Sequence, residues 1–264
     1  MEEFQIIQPS PLLAPYVKHY WFLKTDNISQ SVQRIIPTGN VCLVFHRGEN
    51  MFSVSKGEQQ PKAFISGQST GYSDLQQRGT VDMISVTFQP HGAKAFFAVP
   101  VNELLESTIS INDISDPALV ELQNYLMDAH DILSCVRLIE AFLMKRLNIV
   151  KVINYQRMNA VIQSINARQT NIENLAQTSC LSYKQFKRIF SEYIGANPKD
   201  FLRIIRFQRA LYTLQIYPQT NLTQLAFECG YYDQPHLIKE FKTFSGYTPS
   251  AYISICAPYS DYFT

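Results

Sequence analysis

Residues 172–195 read IENLAQTSCLSYKQFKRIFSEYIG, and the way this stretch divides into two helices decides what the rest of the chain must be. Asn171 can cap a helix whose Ile172, Leu175, Ala176 and Ser179 share one face. Cys180-Leu181 turns the chain, and Ser182 is a good cap for a second helix. There Phe186, Ile189, Phe190 and Tyr193 keep the i, i+3, i+4, i+7 spacing of a buried stripe. Lys184, Lys187, Arg188 and Ser191 repeat that spacing two positions earlier, roughly 200° round the helix, which puts the basic stripe outside. Gly195 ends the helix. A short helix, a tight turn and a second helix with a basic outer face is the layout that presents side chains to a DNA major groove. On its own, a basic amphipathic helix is more often an ordinary solvated surface.

The unit recurs, which argues against coincidence. Leu222–Gly230 (LTQLAFECG) sets Leu222, Leu225, Ala226 and Cys229 at the same spacing. Asp233 offers the next cap, and Pro235 falls inside the first turn, where its missing N–H costs nothing. Leu237, Phe241 and Phe244 point inward, which leaves Gln234, His236 and Lys239 nearer the outside. Gly246 closes this helix as Gly195 closes the first, and Gly195-Ala196-Asn197-Pro198 is matched by Gly246-Tyr247-Thr248-Pro249. Between the copies, Pro198–Ile216 reads as one helix, with Arg203, Arg206 and Arg209 among apolar residues. Such a connector would hold two readers at a fixed spacing, as required to enter successive major grooves about 34 Å apart.

On these residues the segment 153–254 resembles the DNA-binding domain of the AraC/XylS family. The likeness runs through Leu175-Ala176, Ser182 to Phe190, Gly195 with Pro198, Arg206, Arg209-Ala210, and Gly230–Pro249 (GYYDQPHLIKEFKTFSGYTP). It implies that Ser182, Lys184, Gln185, Lys187 and Arg188 lie on a first recognition helix, and Gln234, Pro235, His236 and Lys239 on a second. Arg188 and Lys184 are then expected to approach bases, since Arg pairs bidentately with guanine. Lys187 and Lys239 are expected to hold phosphates. Pro235 stands where many family members carry a polar residue, so the second helix is expected to read shape or thymine methyls.

Working outward, residues 1–150 follow a different grammar. Lys18–Thr25, Val41–His46, Lys62–Ser66 and Val81–Gln89 read as short strands separated by Gly and Pro turns, which argues for a small barrel or sandwich. From Pro117 helices take over: Leu119, Leu122 and Leu126 keep helical spacing, as do Leu138, Ala141, Phe142 and Lys145. These segments could cover the barrel or pair two copies of the chain. Asn148–Asn154 reads as the joint between domains. His19-Tyr20-Trp21, Ile36-Pro37-Thr38-Gly39 and Val86–Ala93 resemble an uncharacterised domain that precedes AraC-type readers. The expected fold class is therefore α+β. A small β-barrel or sandwich with trailing helices occupies 1–150 as a regulatory, effector or dimerisation domain. An all-α domain of two helix-turn-helix units joined by a long helix occupies 151–264.

Composition agrees. Residues 1–150 hold 11 Lys and Arg against 15 Asp and Glu, a net −4, whereas 151–264 hold 12 against 7, a net +5. A basic segment behind an acidic one suits a polyanionic partner. No apolar run reaches membrane-span length, and the first residues lack a signal-peptide pattern. Cys42, Cys135, Cys180, Cys229 and Cys256 have no CxxC spacing, which fits reduced thiols in a cytoplasm. His19, His46 and His91 are candidate metal ligands, yet the His-x-His spacing of metal-binding barrels is missing, so a structural role is favoured. Tyr20, Trp21, Phe22 and Tyr72 could line an effector pocket or fill a core.

The expected function is a sequence-specific transcription regulator acting on double-stranded DNA. Its N-terminal half would respond to an effector that the sequence does not identify. No residue is assigned as catalytic, and no metal or cofactor is expected. A homodimer partner and, for an activator, RNA polymerase follow from the resemblance. Two enzymatic alternatives are a DNA-repair alkyl-transfer protein built on a reactive Cys42, and a metal-dependent barrel enzyme fused to a DNA reader.

Overall fold

The computed structural model describes residues 2–26, 32–97, 100–147, 152–255 and 262–263. Its first half is built on a six-stranded antiparallel sheet in the order β1 (Glu2–Ile7), β2 (Val17–Thr25), β9 (Val81–Phe88), β4 (Cys42–His46), β7 (Ala63–Ser66) and β10 (Thr108–Ser110). Side chains alternate across a pleated sheet, so two neighbouring cross-strand rows show what each face meets. The row Tyr20, Val86, Leu43, Ile65 is fully buried. It packs under α1 (Pro117–Asp128) and α2 (Ile132–Arg146) in one core with Leu119, Leu122, Leu126, Ile139 and Leu143. The next row, Trp21, Ser85, Val44, Phe64, looks the other way, towards a four-stranded sheet. That sheet runs β3 (Val32–Ile35), β8 (Ser73–Gln76), β5 (Phe52–Ser53), β6 (Glu58–Gln59).

Several expectations are corrected by this arrangement. The leucines of α1 are spent on the chain's own sheet, so they offer no face to a second copy. On α2 the buried set is Cys135, Ile139, Phe142 and Leu143, while Ala141 and Lys145 are exposed: the inward stripe is Phe142's, one step round from the one expected. Of the four aromatics considered for a pocket, Tyr20 and Phe22 belong to the core, Trp21 lines the cavity between the sheets, and Tyr72 lies under Arg34. Residues 148–151 of the expected joint, like Cys256, lie outside the described residues; 152–154 already open α3 (Val152–Asn166). His19 on β2, His46 on β4 and His91 in the turn after β9 are all buried. Among the described residues no group of three His, Cys, Asp or Glu could hold a metal ion. No helix among them is long and apolar enough to cross a membrane.

The second half is helical: α3 is followed by α4 (Ile172–Thr178), α5 (Tyr183–Ile194), α6 (Pro198–Ile216), α7 (Leu222–Cys229), α8 (Gln234–Ser245) and α9 (Pro249–Ile255). It contains two cores. Phe186, Phe190 and Tyr193 of α5 meet Leu175 and Met158 in one. Leu237, Phe241 and Phe244 of α8 meet Leu225 and Cys229 in the other. Helix α6 belongs to both, giving Phe201 and Ile205 to the first and Ile204, Phe207, Leu211 and Leu214 to the second. Well-packed interiors resist deformation, so a helix shared by two cores holds them in fixed relation.

The two halves are knit together at the readers' scaffold. Buried Gln208 in the middle of α6 donates from Nε2 to the Pro37 carbonyl at 2.7 Å. Tyr155 Oη of α3 donates to the Pro15 carbonyl at 2.6 Å and its ring packs on Tyr16 and His91. Lys94 Nζ lies 3.7 Å from Glu192 of α5. Arg34 pairs with Asp74 at 2.7 and 2.8 Å, is stacked between the Tyr72 and Tyr247 rings, and donates to the carbonyl of Ser245 at the end of α8.

Candidate nucleic-acid interface

Each recognition helix is defined at its start by a cap that the sequence encodes. For α5 it is a reciprocal box: Ser182 Oγ accepts from the Gln185 N–H while Gln185 Oε1 accepts from the Ser182 N–H at 3.3 Å. For α8, Asp233 Oδ1 accepts from the His236 N–H at 2.8 Å, and His236 Nδ1 accepts from the Tyr232 N–H at 3.4 Å. Gln185 and His236 thus occupy the same helical position and both reach back over the helix start. Ser182 and Asp233 correspond likewise, and Gly195 (φ 86°) and Gly246 (φ 76°) end the two helices in the left-handed conformation that only glycine adopts without strain. The preceding turns match too: Gly230 has φ 81°, and Cys180 takes the same left-handed region at φ 52° despite its side chain.

Aligned on these caps, the outward stripes differ. On α5 it is Lys184, Lys187, Arg188, Ser191; on α8 it is Pro235, Ile238, Lys239, Lys242. Lys184, Lys187, Arg188, Lys239 and Lys242 are exposed, whereas Ser191 and Ile238 are half-buried. Arg188 is tethered loosely, 4.0 Å from Glu192, and Lys187 rests over the Tyr183 ring. Gln234 is half-buried and accepts from Thr223 Oγ1 at 2.8 Å, which ties α8 to α7. Neither recognition helix has an acidic residue in its first turn; the neutral Ser182 cap leaves the N-terminal amides of α5 their positive field, whereas the Asp233 carboxylate sits on those of α8.

The structure brings Lys184, Lys187 and Arg188 together on one exposed face, and places Lys239 on the matching face of the second unit. Ser182 and Gln185 are engaged in capping, and His236 turns towards Glu240, with Nε2 3.7 Å from Oε1. Tyr183 and Tyr232, which is 86% exposed, stand beside the helix starts, Lys242 lies in the last turn of α8, and none of the three is singled out by the sequence. Lys242 was findable, because it follows Lys239 by three residues on the same stripe. Tyr232 was not, because an exposed tyrosine in a turn carries no periodic signal.

The connector's arginines have another use. Glu240 is buried where the first unit has Ile189. Its Oε1 accepts from Arg203 Nε and Arg206 Nη2 at 2.8 Å, and its Oε2 accepts from Arg206 Nη2 at 2.9 Å. This pairing holds the Arg203 guanidinium more firmly protonated than usual. Arg206 also stacks on Tyr231. Arg209 donates to the Ile165 carbonyl, and burial weakens its hold on its proton. These three side chains lock helices together instead of facing solvent as a basic stripe.

Comparison with known proteins follows the same division. Residues 175–254 match the family model described as a helix-turn-helix domain, and residues 5–110 match a domain of unknown function, DUF6597. An uncharacterized HTH-type transcriptional regulator of Haemophilus influenzae is 34% identical over 100 residues, 37% of this chain and 33% of that protein. The HTH-type transcriptional regulator ArgR of Pseudomonas aeruginosa is 29% identical over 93 residues, 33% of this chain and 28% of that protein. The chain thus spans about a third of the length of the curated relatives it matches. Among solved structures, ToxT of Vibrio cholerae aligns with TM-score 0.47 and 11% identity over 95% of this chain and 97% of its own. Residues 175–254 are a helix-turn-helix domain, carried behind a domain of unknown function at residues 5–110.

Proposed function

We propose that this chain is a sequence-specific DNA-binding transcription regulator. In this reading residues 151–264 read DNA and residues 1–150 modulate the reading. The observation that carries it is the pair of capped, glycine-terminated recognition helices held by one shared connector, each with exposed cations and no acid in its first turn. Lys184 and Arg188 read base edges; Lys187, Lys239 and Lys242 hold phosphates. Ser182, Gln185, Gln234 and His236 act chiefly by fixing the helix starts that meet the duplex. A DNA reader of this kind works in the cytoplasm on double-stranded DNA. A small-molecule effector, a second copy of the chain and, if it activates, RNA polymerase are its further partners. No catalytic step is assigned.

Selection of binding sites from a random duplex pool tests this. A site with two elements about one helical turn apart supports paired reading. Arg188→Ala should then cost about 1–3 kcal/mol and relax preference at one position. A pool that yields no enriched sequence, with binding that fades steeply in salt, would show electrostatic contact alone and sink the proposal.

A further inference from the structure

The chain completes its second reader unit and then returns to the first. Helix α9 belongs to the second core, where Tyr252 is buried and its ring meets that of Phe241 at 5.5 Å. Tyr262 and Phe263, further along, pack instead on the core of the first unit. The end of the chain is therefore a second covalent tie between the two units, besides the connector α6.

Tyr262 is held by its backbone, its hydroxyl and its ring. Its N–H donates to Gln208 Oε1 at 3.4 Å, and its Oη donates to Oδ1 of Asn166, the last residue of α3, at 3.0 Å. The ring stands 6.3 Å from that of Phe201 in α6, and the Lys18 ammonium of β2 lies 5.9 Å from its centre. Gly39, ahead of β4, comes so near that an added Cβ would meet the Tyr262 ring at 3.1 Å and Ile205 at 3.0 Å. Phe263 adds ring contacts with Tyr262 at 4.8 Å and Tyr212 at 5.9 Å. The first unit and the N-terminal half thus share one seat. Fully buried Gln208 couples them, because its Oε1 takes the Tyr262 N–H while its Nε2 reaches the Pro37 carbonyl at 2.7 Å. An amide turned the other way would serve neither, so seating one segment favours the other.

What such a tie does follows from its length. Ile255 and Tyr262 are seven residue steps apart, a reach of at most about 25 Å. Packed helices slide and turn on one another by small shear movements, and a rod through both cores does not by itself prevent the turn. A short second tie does. One base pair added between two half-sites moves one of them by about 3.4 Å and turns it by about a tenth of a helical turn. Units free to turn would follow that change; units tied together would not.

We propose that Tyr262 and Phe263 are positioning residues: seated on the first unit, they strap the second unit to it and to the N-terminal half, and so fix the half-site spacing that the chain accepts. The effect on spacing rests on the proposed reader function; the strap itself does not.

The experiment lengthens the strap without touching its seat. Six Gly and Ser residues inserted after Pro258 add about 20 Å of reach. Tyr262→Ala with Phe263→Ala empties the seat, and Tyr262→Phe keeps the ring in it. Each full chain is checked for native circular dichroism. Affinity is measured for the selected duplex, for the same duplex with one base pair added or removed between its elements, and for each element alone. The parent and Tyr262→Phe should prefer the selected spacing at least tenfold. The lengthened and alanine chains should prefer it threefold or less, and bind each single element within twofold of the parent. Spin labels on Cys180 and on Tyr232→Cys, with the other cysteines replaced by alanine, read the same looseness without DNA as a broader distance distribution. A lengthened chain that keeps the parent's preference overturns the strap whatever the alanine chain does, since the aromatic pair then only packs. Weakened binding to a single element in the lengthened chain, or a parent that accepts all three spacings alike, overturns the role in spacing. A broadened distribution in a protein that enriches no duplex leaves the strap standing and removes the DNA reading; an unchanged distribution overturns the strap.

Discussion

Replacing Glu240 by Gln should loosen the second recognition helix from the connector without disturbing the first. The carboxylate is 7% exposed and takes bonds at 2.8 Å from Arg203 Nε and at 2.8 and 2.9 Å from Arg206 Nη2; Arg206 Nε adds a longer one at 3.2 Å. Glutamine keeps one acceptor but turns an N–H₂ donor towards a guanidinium, so the bonds to one of the two oxygens are lost along with the negative charge. Breaking a buried ion pair typically costs about 3–5 kcal/mol. The arginine side chains are 31% and 23% exposed, so water recovers part of that, and a loss of about 2–3 kcal/mol is expected. The assay is urea denaturation followed by far-UV circular dichroism, read as a shift of midpoint at constant slope. Replacing the cluster whole, with Glu240→Ile, Arg203→Leu and Arg206→Leu together, copies the apolar choice made at Ile189 and should recover most of the loss. A Glu240→Gln protein within about 0.5 kcal/mol of the parent, the range of an ordinary surface change, would refute the view that this carboxylate fastens α8 to α6.

Stability should fall with acid in a window set by three histidines. Burial lowers His19, His46 and His91 from 6.5 to about 4. Above pH 6.5 folded and unfolded chains both hold them neutral; between 6.5 and 4 only the unfolded chain takes up the protons. Stability is therefore lost across that window, by about 3 kcal/mol for each histidine. Denaturation midpoints flat from pH 7 to pH 5 would contradict this. Gly246→Ala should cost about 1–2 kcal/mol from the left-handed backbone alone, and more because the new Cβ would run into Arg34 Nη1 and the Tyr72 ring; adding Arg34→Ala should return only the second part. Cys180→Gly should be neutral to mildly stabilising, by at most about 1 kcal/mol, because it relieves a left-handed residue at the exposed turn; a measured loss would show that its side chain is held. Lys242→Ala should weaken duplex binding almost equally for all sequences and reduce the salt slope by about 1. His236→Ala should lower stability and leave base preference unchanged.

The helical half was legible because its signals are local. Asn171, Ser182, Asp233, Gly195 and Gly246 mark helix ends by themselves, and apolar stripes at i, i+3, i+4, i+7 mark the buried faces. Strands β2, β4, β7 and β9 were legible for the same reason, since each is a short run rich in aromatic and aliphatic residues bounded by turn residues. β1 was missed because it pairs with a single neighbour at the sheet edge and is mostly exposed. β5 and β6, at two residues each, are too short to show a period. At the site, sequence showed which residues face outward but not which were already engaged. Gln185 and His236 look like free polar side chains until the caps they close are visible. Glu240, in an otherwise apolar stripe, found its reason only when Arg203 and Arg206 arrived from another helix.

The contacts that join the halves bear on how such a chain can be recombined. Gly195 lies against the backbone of Val101, Gly246 lies against Arg34 and Tyr72, and Gln208 lies beneath Pro37. Both readers and the bar between them are thus fitted to the same N-terminal unit. Exchanging that unit for another N-terminal domain, by recombination or in the laboratory, must reproduce three footprints at once. A chimera that joins the halves at residues 148–151 but keeps only one footprint would leave one reader aligned and the other adrift, and would be expected to recognise half of the original operator.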